Sequence, residues 1–138
     1  MSLWYYEQSG VIPYRILKGK IEVLLVTSRN KKKWIIPKGL VEEGFTSQES
    51  AAKEALEEAG VEGFVHFERI GKYKYEKWGG LCVVDVYLLG VEKIHETWLE
   101  HYARKRKWFP ISDAVEKVER KKLKKIIKSI PEYLLESQ

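Results

Sequence analysis

Cysteine is nearly missing from this 138-residue sequence. Cys82 stands alone, which excludes an internal disulfide framework and a cysteine-based zinc site. It lies in the apolar stretch Leu81–Leu89, where a thiol reads as a small buried side chain rather than a nucleophile. Long hydrophobic runs are missing too. None approaches the roughly 18–20 residues that a membrane span requires, so no membrane partner is expected. Met1-Ser2-Leu3-Trp4 carries no basic stretch leading into an apolar core, so no secretory leader is expected and a cytoplasmic protein is the economical reading. Internal repeats, low-complexity tracts and Gly/Ser-rich linkers are absent, which leads to one domain over residues 1–138. The three histidines, His66, His95 and His101, lack metal-ligand spacing and read as structural or solvated.

Positive charge is in excess. The net +5 is concentrated in Arg29–Lys33, Arg104–Lys107 and Arg120–Lys128. Nucleic acid, a membrane surface and phosphorylated metabolites all suit such patches, so charge alone leaves the partner open. Val11–Leu17 and Ile21–Thr27 flank Lys18-Gly19-Lys20 and read as a β-hairpin. Trp34–Ile36 is a short apolar run stopped by Pro37. Phe64–Tyr75 and Leu81–Leu89 read as two longer strands joined around Gly79-Gly80, and Lys107–Phe109 as a short last strand. Two regions have helical pattern. Thr46 and Glu49 show capping-box spacing ahead of an alanine-rich stretch that ends at Gly60. Leu123, Ile126, Ile127 and Ile130 form a stripe at helical spacing among lysines that read as a solvated face. Strands before, between and after helices predict a mixed α/β domain with helices packed on a mixed sheet.

On the first helix, Glu54, Glu57 and Glu58 fall within an arc of about 100°. Ala52, Ala55, Leu56 and Ala59 cluster opposite them. Three carboxylates at these spacings repel unless a cation sits among them. Magnesium suits such a face, since it takes few oxygen ligands from protein and leaves the rest to water and phosphate. Taken alone, a glutamate-rich helix with an alanine face is an ordinary solvated surface. The segment before it changes that reading. Trp34-Ile35-Ile36-Pro37-Lys38-Gly39 is a strand running into a turn, and a loop that brings Gly39 to the helix offers a backbone carbonyl as a further ligand. Lys38 beside it is a candidate phosphate contact.

The stretch Gly39–Val61 resembles the Nudix box, G-x5-E-x7-R-E-U-x-E-E-x-G-U, where U is a bulky apolar residue. Gly39, Glu54, Glu57, Glu58, Gly60 and Val61 match in register, and Ala55 is an undersized match. Phe45 stands where the pattern has Glu, and Lys53 where it has Arg. In the family those two brace the loop against the helix. Packing of Phe45 is expected to replace the brace here, with Lys53 pairing with Glu49 or Glu57. The lead-in from Trp34 to Gly39 is similar to that of members acting on dinucleoside polyphosphates and diphosphoinositol polyphosphates. Arg104-Lys-Arg-Lys-Trp-Phe109 followed by Asp113-Ala114 is similar to a segment of the diphosphoinositol polyphosphate phosphohydrolases.

The resemblance implies a Nudix-type α/β/α sandwich. It also implies hydrolysis of a phosphoanhydride bond with Mg²⁺, or Mn²⁺ in its place. Glu54, Glu58 and the Gly39 carbonyl are then the principal ligands and Glu57 a further one, direct or through water. One glutamate of this set, or an acidic residue of a later loop such as Glu92, Glu96 or Glu100, would activate water. Arg15, Arg29, Arg104 and Arg106 are the arginines to test against phosphate, and Trp34, Tyr73, Tyr75 and Trp78 the rings to test against a base. A diadenosine polyphosphate is the favoured substrate. Diphosphoinositol polyphosphates, ADP-ribose and RNA 5′ ends are the alternatives, with ADP-ribose disfavoured by the lack of a proline between Pro37 and Pro110. A monomer or homodimer acting on a phosphorylated small molecule is expected. The rivals are a nucleotide-binding module that has lost catalysis and an RNA-associated protein using the lysine-rich C-terminal helix.

Overall fold

Alternation of side chains along extended segments decides this architecture. The computed structural model describes residues 4–137; Met1-Ser2-Leu3, where a leader was sought, lies outside them, as does residue 138. In chain order the elements are β1 (Tyr5–Leu17), β2 (Lys20–Thr27), β3 (Trp34–Ile35), β4 (Lys38–Leu40) and α1 (Ser47–Glu54), which runs on into a π turn over Ala55–Ala59. Then follow β5 (Val61–Val65), β6 (Gly71–Lys77), β7 (Gly80–Ile94), β8 (Arg106–Pro110), α2 (Ile111–Lys117), α3 (Lys121–Lys128) and α4 (Ile130–Glu136).

The strands form one mixed sheet in which β1 and β7 are parallel neighbours at the centre. The β1–β2 hairpin turns at Lys18 and Gly19, both with positive φ, which matches the twist of the flanking strands. The expected strand Phe64–Tyr75 is two strands. β5 pairs with one half of β7 and β6 with the other, because β7 is long enough to serve both. The helix after β8 has too short an apolar pattern to stand out in the sequence, and it joins α3 and α4 on one face.

Each central strand feeds two cores, as a sheet covered on both faces requires. Val11, Leu24, Val26, Tyr87 and Leu89 pack against Ala51, Ala55 and Ala59 of the first helix. Ile12, Val23, Leu25, Val84, Val86 and Leu88 pack against Ala114, Leu123, Ile126, Ile127 and Ile130 on the other side. The stripe predicted for the C-terminal helix is therefore core. The result is the expected α/β/α sandwich. Among the described residues no helix is long and apolar enough to cross a membrane.

β1 changes partner along its length. Tyr14–Leu17 pair with β2, whereas Gln8–Gly10 pair with β4. Where β2 leaves β1, β4 takes its place and carries Lys38 and Gly39 to the end of the first helix.

Candidate active site

The first helix begins and ends where its sequence dictates. The Thr46 side chain accepts from Glu49 N, and the Glu49 carboxylate accepts from Thr46 N, bonds that hold Glu49 below the usual carboxylate range. Gly60 closes the helix at φ 68°, a left-handed position that a side chain resists. Between these caps the ladder widens into the π turn, an irregularity frequent at functional sites. Ala51, Ala55 and Ala59, four apart, face the sheet, while Leu56, expected on that apolar side, is 39% exposed.

Glu54 and Glu58 lie on the flank between helix and β4 and are only 9% and 5% exposed. Gly39 presses against them. A Cβ at Gly39 would stand 2.3 Å from Glu54 Oε1. The Lys38 N–H donates to Glu58 Oε1 at 3.3 Å. Burial first, and then the neighbouring Glu54 carboxyl, pushes Glu58 well above the usual carboxylate range. The Arg104 guanidinium, 3.7 Å from Glu58 Oε1, pulls the other way and is outweighed. A buried pair of like charges is costly unless a proton or a cation lies between them. Hard oxygen ligands beside a glycine backbone fit a small divalent ion, and this is the property that distinguishes the site chemically.

Glu57 does not join the pair. Its Oε2 is 2.9 Å from Lys53 Nζ, which also reaches Glu42 Oε1 at 3.0 Å. Among the described residues no three His, Cys, Asp or Glu side chains are placed to hold a metal together. The loop brace is thus kept, in altered form: Glu42, three residues before Phe45, supplies the carboxylate. Phe45 itself is 42% exposed and does not replace the brace by packing. Lys53→Met is expected to leave the melting temperature within about 3 °C, since the pair is largely solvated. It should raise the divalent-ion concentration needed for half-maximal turnover several-fold by loosening the Glu42 loop that follows Gly39 and β4. A metal titration of both proteins checks this.

The remaining candidates separate into three groups. Trp34, Lys38 and Tyr75 line a groove of about 530 Å³, to which Lys77 and Arg120 also contribute. Lys38 Nζ donates to Tyr75 Oη at 2.7 Å, and Tyr75 Oη donates to Gln8 Oε1 at 2.6 Å. Arg29 and Arg104 meet on Glu100, whose Oε1 lies 3.2 Å from Arg29 Nη2 and 3.0 Å from Arg104 Nε. Arg104 is largely but not fully buried and also donates to the Thr27 carbonyl, so it orients Glu58 rather than reaching out to substrate. Glu100, one of the later-loop acids considered for activating water, is nearly buried between these arginines, and its N–H bonds the Glu57 carbonyl.

Arg15 and Arg106 lie elsewhere. Arg15 pairs with Glu22 at 2.8 Å and stacks on Trp108, about 20 Å along β1 from the residue opposite Gly39. Arg106 donates to the carbonyls of Ala59, Gly60 and His95 and stacks on Trp98, so it caps the end of the first helix. Arg106→Ala is expected to cost about 2 kcal/mol of stability with KM unchanged, as denaturant melts and kinetics would show. Of the other rings, Tyr73 is buried and Trp78 sits at a hairpin tip against Tyr6. Sequence reading passed over Arg120, whose place in a lysine-rich run resembles a solvated surface.

A family model, the NUDIX domain, matches residues 8–130. The chain belongs to the Nudix family. It is 36% identical to the Nudix hydrolase 16, mitochondrial, of Arabidopsis thaliana over 126 residues, covering 78% of this chain and 69% of that protein. It is 38% identical to diphosphoinositol polyphosphate phosphohydrolase 2 of Rattus norvegicus over 99 residues, covering 68% of this chain and 52% of that one. The chain spans 59% of another plant relative, Nudix hydrolase 21, chloroplastic. Among solved structures, a C. elegans Ap4A hydrolase in a binary complex superposes with a TM-score of 0.81 at 26% identity, covering 94% of this chain and 98% of that one. Nudix hydrolases work with divalent metal ions, which agrees with the chemistry of the Glu54/Glu58 pair.

Proposed function

We propose that this Nudix domain hydrolyses a phosphoanhydride bond in a diphosphate-linked substrate, with a diadenosine polyphosphate as the leading choice and Mg²⁺ as the metal. The observation that carries this reading is the buried Glu54/Glu58 pair set against Gly39, joined through Lys38 to a cationic groove. Glu54, Glu58 and the Gly39 carbonyl would hold the ion, with Glu57 contributing through water. When bound, the ion supplies charge neutralisation on the diphosphate and a more acidic water. The chain's own groups do the rest. Lys53 holds Glu57, Arg104 holds Glu58, and one carboxylate of the Glu54, Glu57 and Glu58 set accepts the proton of the attacking water. The C. elegans neighbour, an Ap4A hydrolase of the same fold, supports the substrate choice.

A second reading, diphosphoinositol polyphosphate hydrolysis, is favoured by the rat relative and by a specific contact. Arg120 lies over the Tyr75 ring at 4.5 Å, where a base would stack. A panel of diadenosine polyphosphates, diphosphoinositol polyphosphates, ADP-ribose and 5′-triphosphorylated RNA, with products identified, separates the readings. Nucleotide release from a diadenosine polyphosphate is the expected result. No turnover of any member with Mg²⁺ or Mn²⁺ would instead support a binding module.

A further inference from the structure

The groove beside the carboxylate pair has a cation arrangement that the box does not account for. Arg120, at the N-terminal boundary of α3, places its guanidinium 4.5 Å from the centre of the Tyr75 ring and 5.8 Å from that of Tyr73. Lys38 meets the same tyrosine from its hydroxyl, and Lys77 lines the same groove from the end of β6. Among the described residues, Lys38, Lys77 and Arg120 make no ion pair, whereas Arg15, Arg29, Lys33, Lys53, Arg69 and Arg104 all do. Two acids also line the groove. Lys33 engages Glu119 at 3.2 Å, and Glu76 lies beside Lys77.

The aromatic residues here orient cations. Tyr75 carries Arg120 on its ring and Lys38 on its hydroxyl, Tyr73 is 5% exposed, and Trp34 stands edge-on to Phe109 at 5.1 Å. Neither tyrosine of the groove offers a free face to a base, since Tyr73 is buried and Tyr75 has Lys38 and Arg120 over its ring. Unpaired cations gathered in a concavity call for several negative charges close together, and a planar guanidinium pinned on a ring suits phosphate.

We propose that this groove is a polyphosphate site in which Lys38, Lys77 and Arg120 hold a run of phosphates beyond the bond that is cut. The ligand carries at least three phosphates close together, in one chain or around one ring, and the group that bears them contributes little. This rests on Glu54 and Glu58 as the hydrolytic centre, and it adds what that centre's substrate must carry. A nucleoside polyphosphate and an inositol-borne diphosphate share this chemistry.

Calorimetry with inorganic tripolyphosphate in the presence of a chelator tests the site without turnover. Binding should weaken with added salt. Arg120→Gln and Lys77→Gln should each lower affinity about ten-fold, with Arg120→Lys in between. Lys77 is exposed at the end of β6, so its variant decides the matter if Arg120→Gln fails to fold. Glu58→Gln should bind tripolyphosphate at least as tightly as the wild type. Loss of hydrolysis in that variant therefore speaks to the catalytic centre, and loss of binding in the others to the groove. Diadenosine tetraphosphate and inositol hexakisphosphate should both displace the probe, and adenosine should not; the substrate panel then tells which source is cleaved. Affinity within two-fold of wild type in both glutamine variants, no binding at all, or displacement by adenosine at similar concentration would overturn the proposal.

Discussion

Glu58→Gln is expected to cut turnover by at least about a hundred-fold while making the metal-free protein more stable. The two effects have one cause. Glu58 is buried beside Glu54, and its charged form is opposed by desolvation and by its neighbour. Glutamine keeps the shape and removes the charge, so the variant should gain about 1–3 kcal/mol without metal. It loses the charge that a cation would use. The same shift sets a pH dependence. Folded Glu58 keeps its proton above the ordinary carboxylate value of 4.5, so over the range above 4.5 the folded state binds more protons than the unfolded one. Stability of the metal-free protein therefore falls as pH rises through the neutral range, and below 4.5 the contribution is constant. Thermal melts at pH 5 and pH 8 with a chelator should show this slope in the wild type and a smaller one in the variant. Parallel slopes would remove Glu58 as its source, and turnover near the wild-type rate would remove it as a ligand.

Gly39→Ala should rank next in effect. The added Cβ would fall 2.3 Å from Glu54 Oε1 and 2.5 Å from its carboxylate carbon, inside any permitted contact. Either Glu54 swings away or β4 retreats from the helix. Overpacking of this kind costs about 1–3 kcal/mol. Displacing a catalytic carboxylate by about 1 Å costs about a hundred-fold in rate. A folded, modestly destabilised protein with turnover lowered by about that factor is the expected outcome. Unchanged kinetics would show that Gly39 and Glu54 do not work as a unit. Glycine is required at this position by proximity and not by backbone angle, which separates it from Gly60, where φ is positive.

Much of the fold was readable in advance because its signals are local. The capping box at Thr46 and Glu49, the glycine cap at Gly60 and the β1–β2 hairpin each depend on residues a few positions apart. The split between β5 and β6 was not readable, since apolar residues continue through the break and only pairing with the two halves of β7 divides them. Arg15 and Arg106 illustrate the same limit in the site. An arginine has one appearance in sequence, whether it faces a phosphate, a glutamate or three carbonyl oxygens.

The carboxylate helix shows where the division falls. Its register, Gly39 followed by Glu54, Glu57, Glu58 and Gly60, lies in the sequence, because helical rotation alone gathers those glutamates on one side. Which of them meet was decided by tertiary structure. Burial and the approach of Gly39 pair Glu54 with Glu58, while Lys53, held by Glu42 from the loop, turns Glu57 aside. The groove's cations follow the same rule. Lys38, Lys77 and Arg120 come from three separated segments, and the partner that joins two of them, Tyr75, is reached only when the sheet and α3 close together. Local geometry fixes what a segment can offer; the desolvation and long-range contacts that choose among those offers exist only in the folded chain.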